Sequence, residues 1–184
     1  MDEFSYELKV PKDRIAVLIG KEGKLKTELE EQSSAKIFID SKEGDVRIKG
    51  SDSILMFSLV DVIKAIGRGF NPDIARLLLK QDYVLEIVNI SEFVPNKNHY
   101  ERIKGRVIGA NGKTRETIEK LTETFISVYG KTVSIIGSSD RVVIARKAVD
   151  SLLQGSTHAN VYSFLEKSKA RLKRDEMTNW YQES

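Results

Sequence analysis

Two stretches of this chain put a lysine directly after a glycine-x-x-glycine turn: LIGKEGK at 18–24 and VIGANGKTRETIE at 107–119. Such a segment can hold phosphate in one of two ways. Gly112-Lys113-Thr114 looks like the end of a loop that cradles a nucleoside triphosphate for group transfer. That loop needs a glycine, four residues, then Gly-Lys-Ser/Thr, and it follows a strand. Counting back from Gly112, the required glycine falls on Val107, and Gly105 is two residues too early. The preceding segment also reads as a helix. An NTPase is therefore disfavoured on spacing. The other chemistry is recognition. A glycine loop between two helices presents unpaired N–H groups and a positive dipole end to a phosphodiester, and glycine lets the sugar-phosphate backbone approach closely.

A lone Gly-x-x-Gly is usually only a loop, but here it is duplicated in register. LIGKEGKLKTELEEQSSAKIFI at 18–39 aligns without a gap with VIGANGKTRETIEKLTETFISV at 107–128. Ile19, Gly20, Gly23 and Lys24 match Ile108, Gly109, Gly112 and Lys113, and Ile37 with Ile39 matches Ile126 with Val128. A fixed repeat of this kind marks two copies of one supersecondary unit.

The flanking elements repeat as well. In the first copy SYELKVP reads as a strand, KDRIAVLIG as a short helix, residues 24–32 as a second helix, and AKIFID and DVRIKG as strands joined at SKEG. Ser51-Asp52 can cap a long helix running to about residue 67. Asn71-Pro72 starts a short helix through Lys80. In the second copy DYVLEIVNI is a strand, and the insertion SEFVPNKNH precedes the helix HYERIKGRVIG. The helix KTRETIEKLT follows the loop, then FISVYG and TVSIIG as strands turning near Tyr129-Gly130-Lys131, and a helix starting at Ser138 or Ser139. The expected domains are 1–70, a linker helix at 71–81, 82–155, and a C-terminal basic helix and tail at 156–184.

Composition is compatible with this. The 184 residues suit one large or two small domains, and a net charge of +3 says little about partners until its distribution is considered. There are no cysteines, so disulfides and thiolate metal sites are excluded. The start MDEFSYELKV lacks the basic and apolar regions of a signal peptide. The most apolar run, at 54–67, is interrupted by Asp61 and Lys64 and is too short to span a bilayer. A cytoplasmic protein is expected. His99 and His158 stand in unrelated contexts with no carboxylate cluster or nucleophile elbow, and read as surface residues. Neither enzyme activity nor a metal or other cofactor is expected.

The order strand, helix, Ile-Gly-x-x-Gly-Lys, helix, strand, strand, helix resembles the type I KH domain, in two copies covering almost the whole chain except the tail. The resemblance implies an α+β fold, β-α-α-β-β-α in tandem with a C-terminal helix, that binds single-stranded RNA. A KH module clamps about four nucleotides at its loop. The stretch GRVIGANGKTRETIEKLTETFISVYGKTVSIIG at 105–137 is similar to the C-terminal KH region of the Dim-two, or partner-of-Nob-one, small-subunit assembly family, in the short form of its archaeal relatives. That implies ribosome biogenesis, with a target in pre-rRNA near the 3′ end of the small-subunit rRNA. It also implies two protein partners: a PIN-domain rRNA endonuclease and the alpha subunit of translation initiation factor two.

Within that frame the copies are unequal. Arg102, Lys104 and Arg106 precede the second loop, Lys113 and Arg115 follow it, and Ala110 and Asn111 are uncharged. The expected RNA site is these residues with Ile108, Gly109, Gly112 and Ile126; Val107 and Ile118 complete an apolar groove floor or lie in the core. Ile19, Gly20, Lys21, Glu22, Gly23 and Lys24 form an auxiliary site, where Glu22 puts a negative charge in the path of a phosphate. One departure is shared. Three residues past the second glycine, where many KH domains carry an aliphatic, stand Lys26 and Arg115. Two alternatives remain: a general KH RNA-binding protein, and an assembly scaffold whose first domain binds protein. In the tail, Val161, Phe164, Leu165 and Leu172 make an apolar stripe on a helix over 157–176, and KSKARLKR carries five positive charges in eight residues. Docking on the second domain is favoured over direct RNA contact. Trp180 packs on the core or on a partner.

Overall fold

The structure, a computed structural model, describes residues 4–94 and 99–183, with side chains as far as Thr178. The chain divides into two compact units, Met1–Leu85 and Glu86–Ser184. Each repeats the same order of elements. The middle of the insertion 91–99 and the side chain of Trp180 lie outside the described residues.

In the first unit, β1 (Phe4–Lys9), β2 (Ala35–Asp40) and β3 (Asp45–Gly50) form an antiparallel sheet of order β1-β3-β2. Tyr6, Ile48 and Ile37 align across it, as do Leu8, Val46 and Ile39. The period-2 pattern turns Ile37, Val46 and Ile48 into the core, and Phe38 and Arg47 outward. Three helices cover the inner face: α1 (Lys12–Ile19), α2 (Lys24–Ser33) and α3 (Ser53–Gly67). Asp52 caps α3, its Oδ1 accepting from the amides of Ile54 at 2.9 Å and Leu55 at 3.0 Å. Asn71 caps α4 (Pro72–Ala75) by accepting from the Asp73 amide at 2.9 Å. This helix is shorter than expected. Residues 76–79 tighten into a 3-10 turn, which Arg76 ties to Glu28 of α2. The side chain of Arg14 donates to the carbonyls of Ile66 and Phe70, so α1 closes the C-terminal end of α3.

The second unit is built alike. Strand β4 (Tyr83–Asn89), whose first three residues precede the division at Glu86, joins β5 (Phe125–Tyr129) and β6 (Thr132–Ser138) in a sheet of order β4-β6-β5. Helices α5 (Tyr100–Ile108), α6 (Lys113–Thr122) and α7 (Ser139–Leu153) pack through residues spaced by three and four. These are Ile103 and Val107 on α5, Thr114, Ile118 and Thr122 on α6, and Val142, Ala145, Val149 and Leu152 on α7. The apolar ones among them share one core with Ile126, Val133 and Ile135. Ser138 is the residue before α7, but its side chain makes no capping bond and its buried Oγ has no hydrogen-bond partner among the described residues.

The last helix, α8 (His158–Glu183), outruns the segment expected. Its first turns are part of this core: Val161 and Leu165, four residues apart, are buried, and Tyr162 packs against the cluster. It runs beside α6 and α7. Tyr162 donates to Thr114 Oγ1 at 3.1 Å, Lys169 reaches the Lys120 carbonyl at 3.5 Å, and Arg141 bridges Glu123 and Glu176 at 2.7 and 2.8 Å. Phe164, expected in the apolar stripe, is instead exposed, because it points away from the Val161 and Leu165 face. Among the described residues no helix is long and apolar enough to cross a membrane.

If α8 is integral to the second unit, Leu165→Ala will destabilise that unit by about 3 kcal/mol. Urea unfolding followed by hydrogen exchange will place the loss in Glu86–Ser184 and leave the first unit unchanged.

Candidate nucleic-acid interface

Both glycine loops adopt one backbone conformation. Gly20 and Gly109 have φ of 73° and 74°, with ψ of 178° and 175°. Glu22 and Asn111 are left-handed at φ 55° and 52°, and Gly23 and Gly112 follow at 75° and 80°. In each loop the second glycine amide bonds the first glycine carbonyl at 3.3 Å.

The two glycines of a loop do different things. A Cβ on Gly109 would meet Thr114 Oγ1 at 2.1 Å and the Thr114 amide nitrogen at 2.7 Å. One on Gly20 would meet Leu25 Cβ at 2.6 Å. The first glycine therefore lets the two helices join at close range. The second faces open space: among the described residues nothing lies within 4 Å of a Cβ on Gly23, and for Gly112 the nearest atom is Glu116 Oε1 at 3.6 Å. That is the side from which a sugar-phosphate backbone has room to approach.

The residue between them separates the copies. Asn tolerates the left-handed region; glutamate has no such dispensation. Glu22 is thus strained as well as wrongly charged for a phosphate site. Lys24 in the first copy lies 4.0 Å from Glu28, whereas the matching position beside Lys113 is Thr117, whose hydroxyl bonds the Lys113 carbonyl at 2.7 Å. Lys113, Ala110 and Asn111 are all exposed.

The cations expected before the second loop are distributed unevenly. Arg102 is exposed. Lys104 is partly buried and paired with Glu101 at 2.8 Å. Arg106 is turned inward, contrary to its expected place in the interface. Its guanidinium donates to the carbonyls of Leu152 and Ser156 and so closes the C-terminal end of α7. The apolar floor is also corrected. Val107, Ile118 and Ile126 are buried core residues with no surface for a base, and only Ile108 is partly exposed beside the loop. In the auxiliary loop Ile19, Gly20 and Gly23 are partly exposed and Lys21, Glu22 and Lys24 are exposed.

Thr114 is withdrawn from any phosphate or metal role: it is buried and takes the hydrogen bond of Tyr162. His158 is not the surface residue expected. Its Nε2 lies 2.9 Å from the Arg106 carbonyl and its ring tilts against Tyr162, which stations the start of α8 behind the loop. No sequence signal marked the first of these contacts, because Arg106 lies 52 residues away in the chain.

A carboxylate one turn further along each helix was missed in the sequence. Glu30 accepts the Ile37 amide at 2.7 Å and Glu119 accepts the Ile126 amide at 2.6 Å. Each fixes the strand that runs beside the loop helix. Each also faces the cation four residues earlier, Lys26 at 3.7 Å and Arg115 at 3.8 Å. The matching positions in the 89-residue register (Gly20 to Gly109) were the available signal. Burial pushes the Glu119 carboxyl above its ordinary range, against the lowering pull of the Ile126 amide and Arg115, with Glu116 adding to the rise.

Residues 84–170 match the eukaryotic type KH domain (KH domain type I), and residues 5–56 match the KH domain. A KH domain-containing protein of Methanocaldococcus jannaschii is 44% identical over 181 residues, covering 96% of this chain and 79% of that protein. The pre-rRNA-processing protein PNO1 of Coccidioides immitis is 36% identical over 115 residues, 61% of this chain and 45% of that protein; the chain therefore matches less than half of that fungal protein's length. Among solved structures, the a/eIF2alpha-aDim2p-rRNA complex from Pyrococcus horikoshii is similar at 42% identity with a TM-score of 0.87, covering 92% of this chain and 96% of that one.

Two outcomes follow from the geometry. Glu22→Asn relieves the left-handed strain and will stabilise the first unit by about 1 kcal/mol in urea unfolding. For Glu119 the folded carboxyl binds its proton more tightly than the unfolded one. The penalty is absent below the unfolded value of 4.5 and grows as pH rises through the folded value. Glu119→Gln will therefore flatten the fall in second-unit stability above pH 4.5; an unchanged slope in pH-resolved unfolding would show that Glu119 does not cause it.

Proposed function

This chain belongs to the tandem type I KH family that includes PNO1 and archaeal Dim2p, and from that membership we propose that it binds single-stranded pre-rRNA near the 3′ end of the small-subunit rRNA during ribosome maturation. The observation that carries the reading is the second loop. Its backbone matches the first, its two central side chains are uncharged and exposed, and the open side of Gly112 leaves room for a phosphodiester. Lys113 and the amino end of α6 meet the phosphate, with Arg102 supplying more distant attraction and Ile108 apolar contact. The first loop is auxiliary: Lys21 and Lys24 attract and Glu22 repels.

The protein acts by binding, with no catalysis of its own. Its protein partner is the alpha subunit of translation initiation factor two, the counterpart of the subunit in the Pyrococcus horikoshii complex. An rRNA endonuclease of the PIN type is the enzyme it would present the RNA to. The site of action is the cytoplasm.

The test is fluorescence anisotropy with a short RNA copying the 3′ end of the small-subunit rRNA, in a salt series. Ala110→Asp combined with Asn111→Asp places two negative charges in the phosphate path and will weaken binding at least about tenfold, with a shallower salt slope. Lys21→Asp will cost less. Equal affinity of all three proteins, each shown folded by circular dichroism, would overturn the assignment of the second loop.

A further inference from the structure

The shared departure at Lys26 and Arg115 is unexplained by phosphate binding alone. Arg115 lies on the α6 face that looks toward β5, since Glu119, one turn on, holds the Ile126 amide of that strand. Its guanidinium stretches back toward the loop: Nη2 lies 3.9 Å from where a Cβ on Gly112 would be. The head group therefore spans the gap between the loop that meets the phosphate and the strand beside it. Its Nε is buried and has no hydrogen-bond partner among the described residues; Glu119 Oε2, at 3.8 Å, is too far. Glu119 is already committed to the strand amide at 2.6 Å, so the carboxylate steers the fork without consuming its donors.

Resting on the RNA-binding reading, we infer that Arg115 is the base-reading residue of the second domain, and Glu119 its positioning residue. The ligand is a nucleotide whose edge carries two adjacent acceptors. A guanidinium has donors only, in a planar fork. Cytosine offers O2 beside N3 and guanine offers O6 beside N7, whereas adenine and uracil interrupt an acceptor with a donor on the same edges. The first copy has lysine here, which lies 3.7 Å from Glu30. An ammonium is a point charge without a fork, so that copy attracts RNA without choosing a base.

The full chain is titrated with ten-nucleotide oligouridine and with the same oligomer carrying one central cytosine, guanine or adenine. The unmodified protein will bind the cytosine or the guanine oligomer about tenfold more tightly than the adenine and all-uridine ones. Arg115→Lys keeps the charge and will leave the salt slope unchanged, but will shrink the ratio to within about twofold. Glu119→Gln, with its fold checked by thermal melting, will reduce the ratio while leaving the salt slope alone. A 7-deazaguanine oligomer separates the two bases: loss of the preference on removing N7 identifies guanine. Retention of the ratio in Arg115→Lys, or preference for adenine or uracil in the unmodified protein, overturns the inference while RNA binding stands. If no oligomer and no rRNA fragment binds the unmodified protein, the RNA-binding reading fails and takes this inference with it.

Discussion

The join between the two loop helices governs this fold. Where α5 ends, the chain must reverse into α6 at a distance that leaves 2.1 Å between a Gly109 Cβ and Thr114 Oγ1. Only glycine fits, and only with positive φ. The consequence is that two helix ends are brought against one short turn, and the amino end of α6 faces the open side of Gly112. The anion-attracting geometry is thus a by-product of a packing constraint. The same constraint operates at Gly20 against Leu25, which is why both loops share a backbone although their central residues differ.

Once the loop is set, charge decides what each copy does with it. Glu22 sits where Asn111 sits and carries both a strain and a sign that oppose phosphate. Surface ion pairs are weak, so pairing such as Lys24 with Glu28 matters less through its energy than through the potential it removes. The Glu30 and Glu119 clamps are stronger constraints, because a buried strand amide left without an acceptor is costly. They fix the distance between loop helix and neighbouring strand in both copies.

The last helix stabilises the site from behind. Val161 and Leu165 contribute to the second core, Tyr162 occupies the Thr114 hydroxyl, and His158 meets the carbonyl of Arg106. Arg106 in turn holds the end of α7. A chain of contacts therefore runs from α8 through α5 to α7, and the loop is mounted on it.

Much of the fold was legible in sequence because it depends on local rules: strand alternation, helix periodicity, the Asp52 and Asn71 caps, and a glycine motif occurring twice in one register. The residues that line the loop were legible for the same reason. What sequence left open was orientation. Arg106 and Lys113 are equally cationic neighbours of the loop, yet one is spent on carbonyls 46 and 50 residues away and the other is exposed. Ile118 and Ile126 have the right character for a groove floor, yet the core claims them, because hydrophobic burial is non-directional and takes whichever face the neighbouring helices cover. Sequence by itself determined the two copies, their elements and the chemistry of each loop. Tertiary structure decided which side chains remain available to a ligand, since that depends on contacts between residues far apart in the chain.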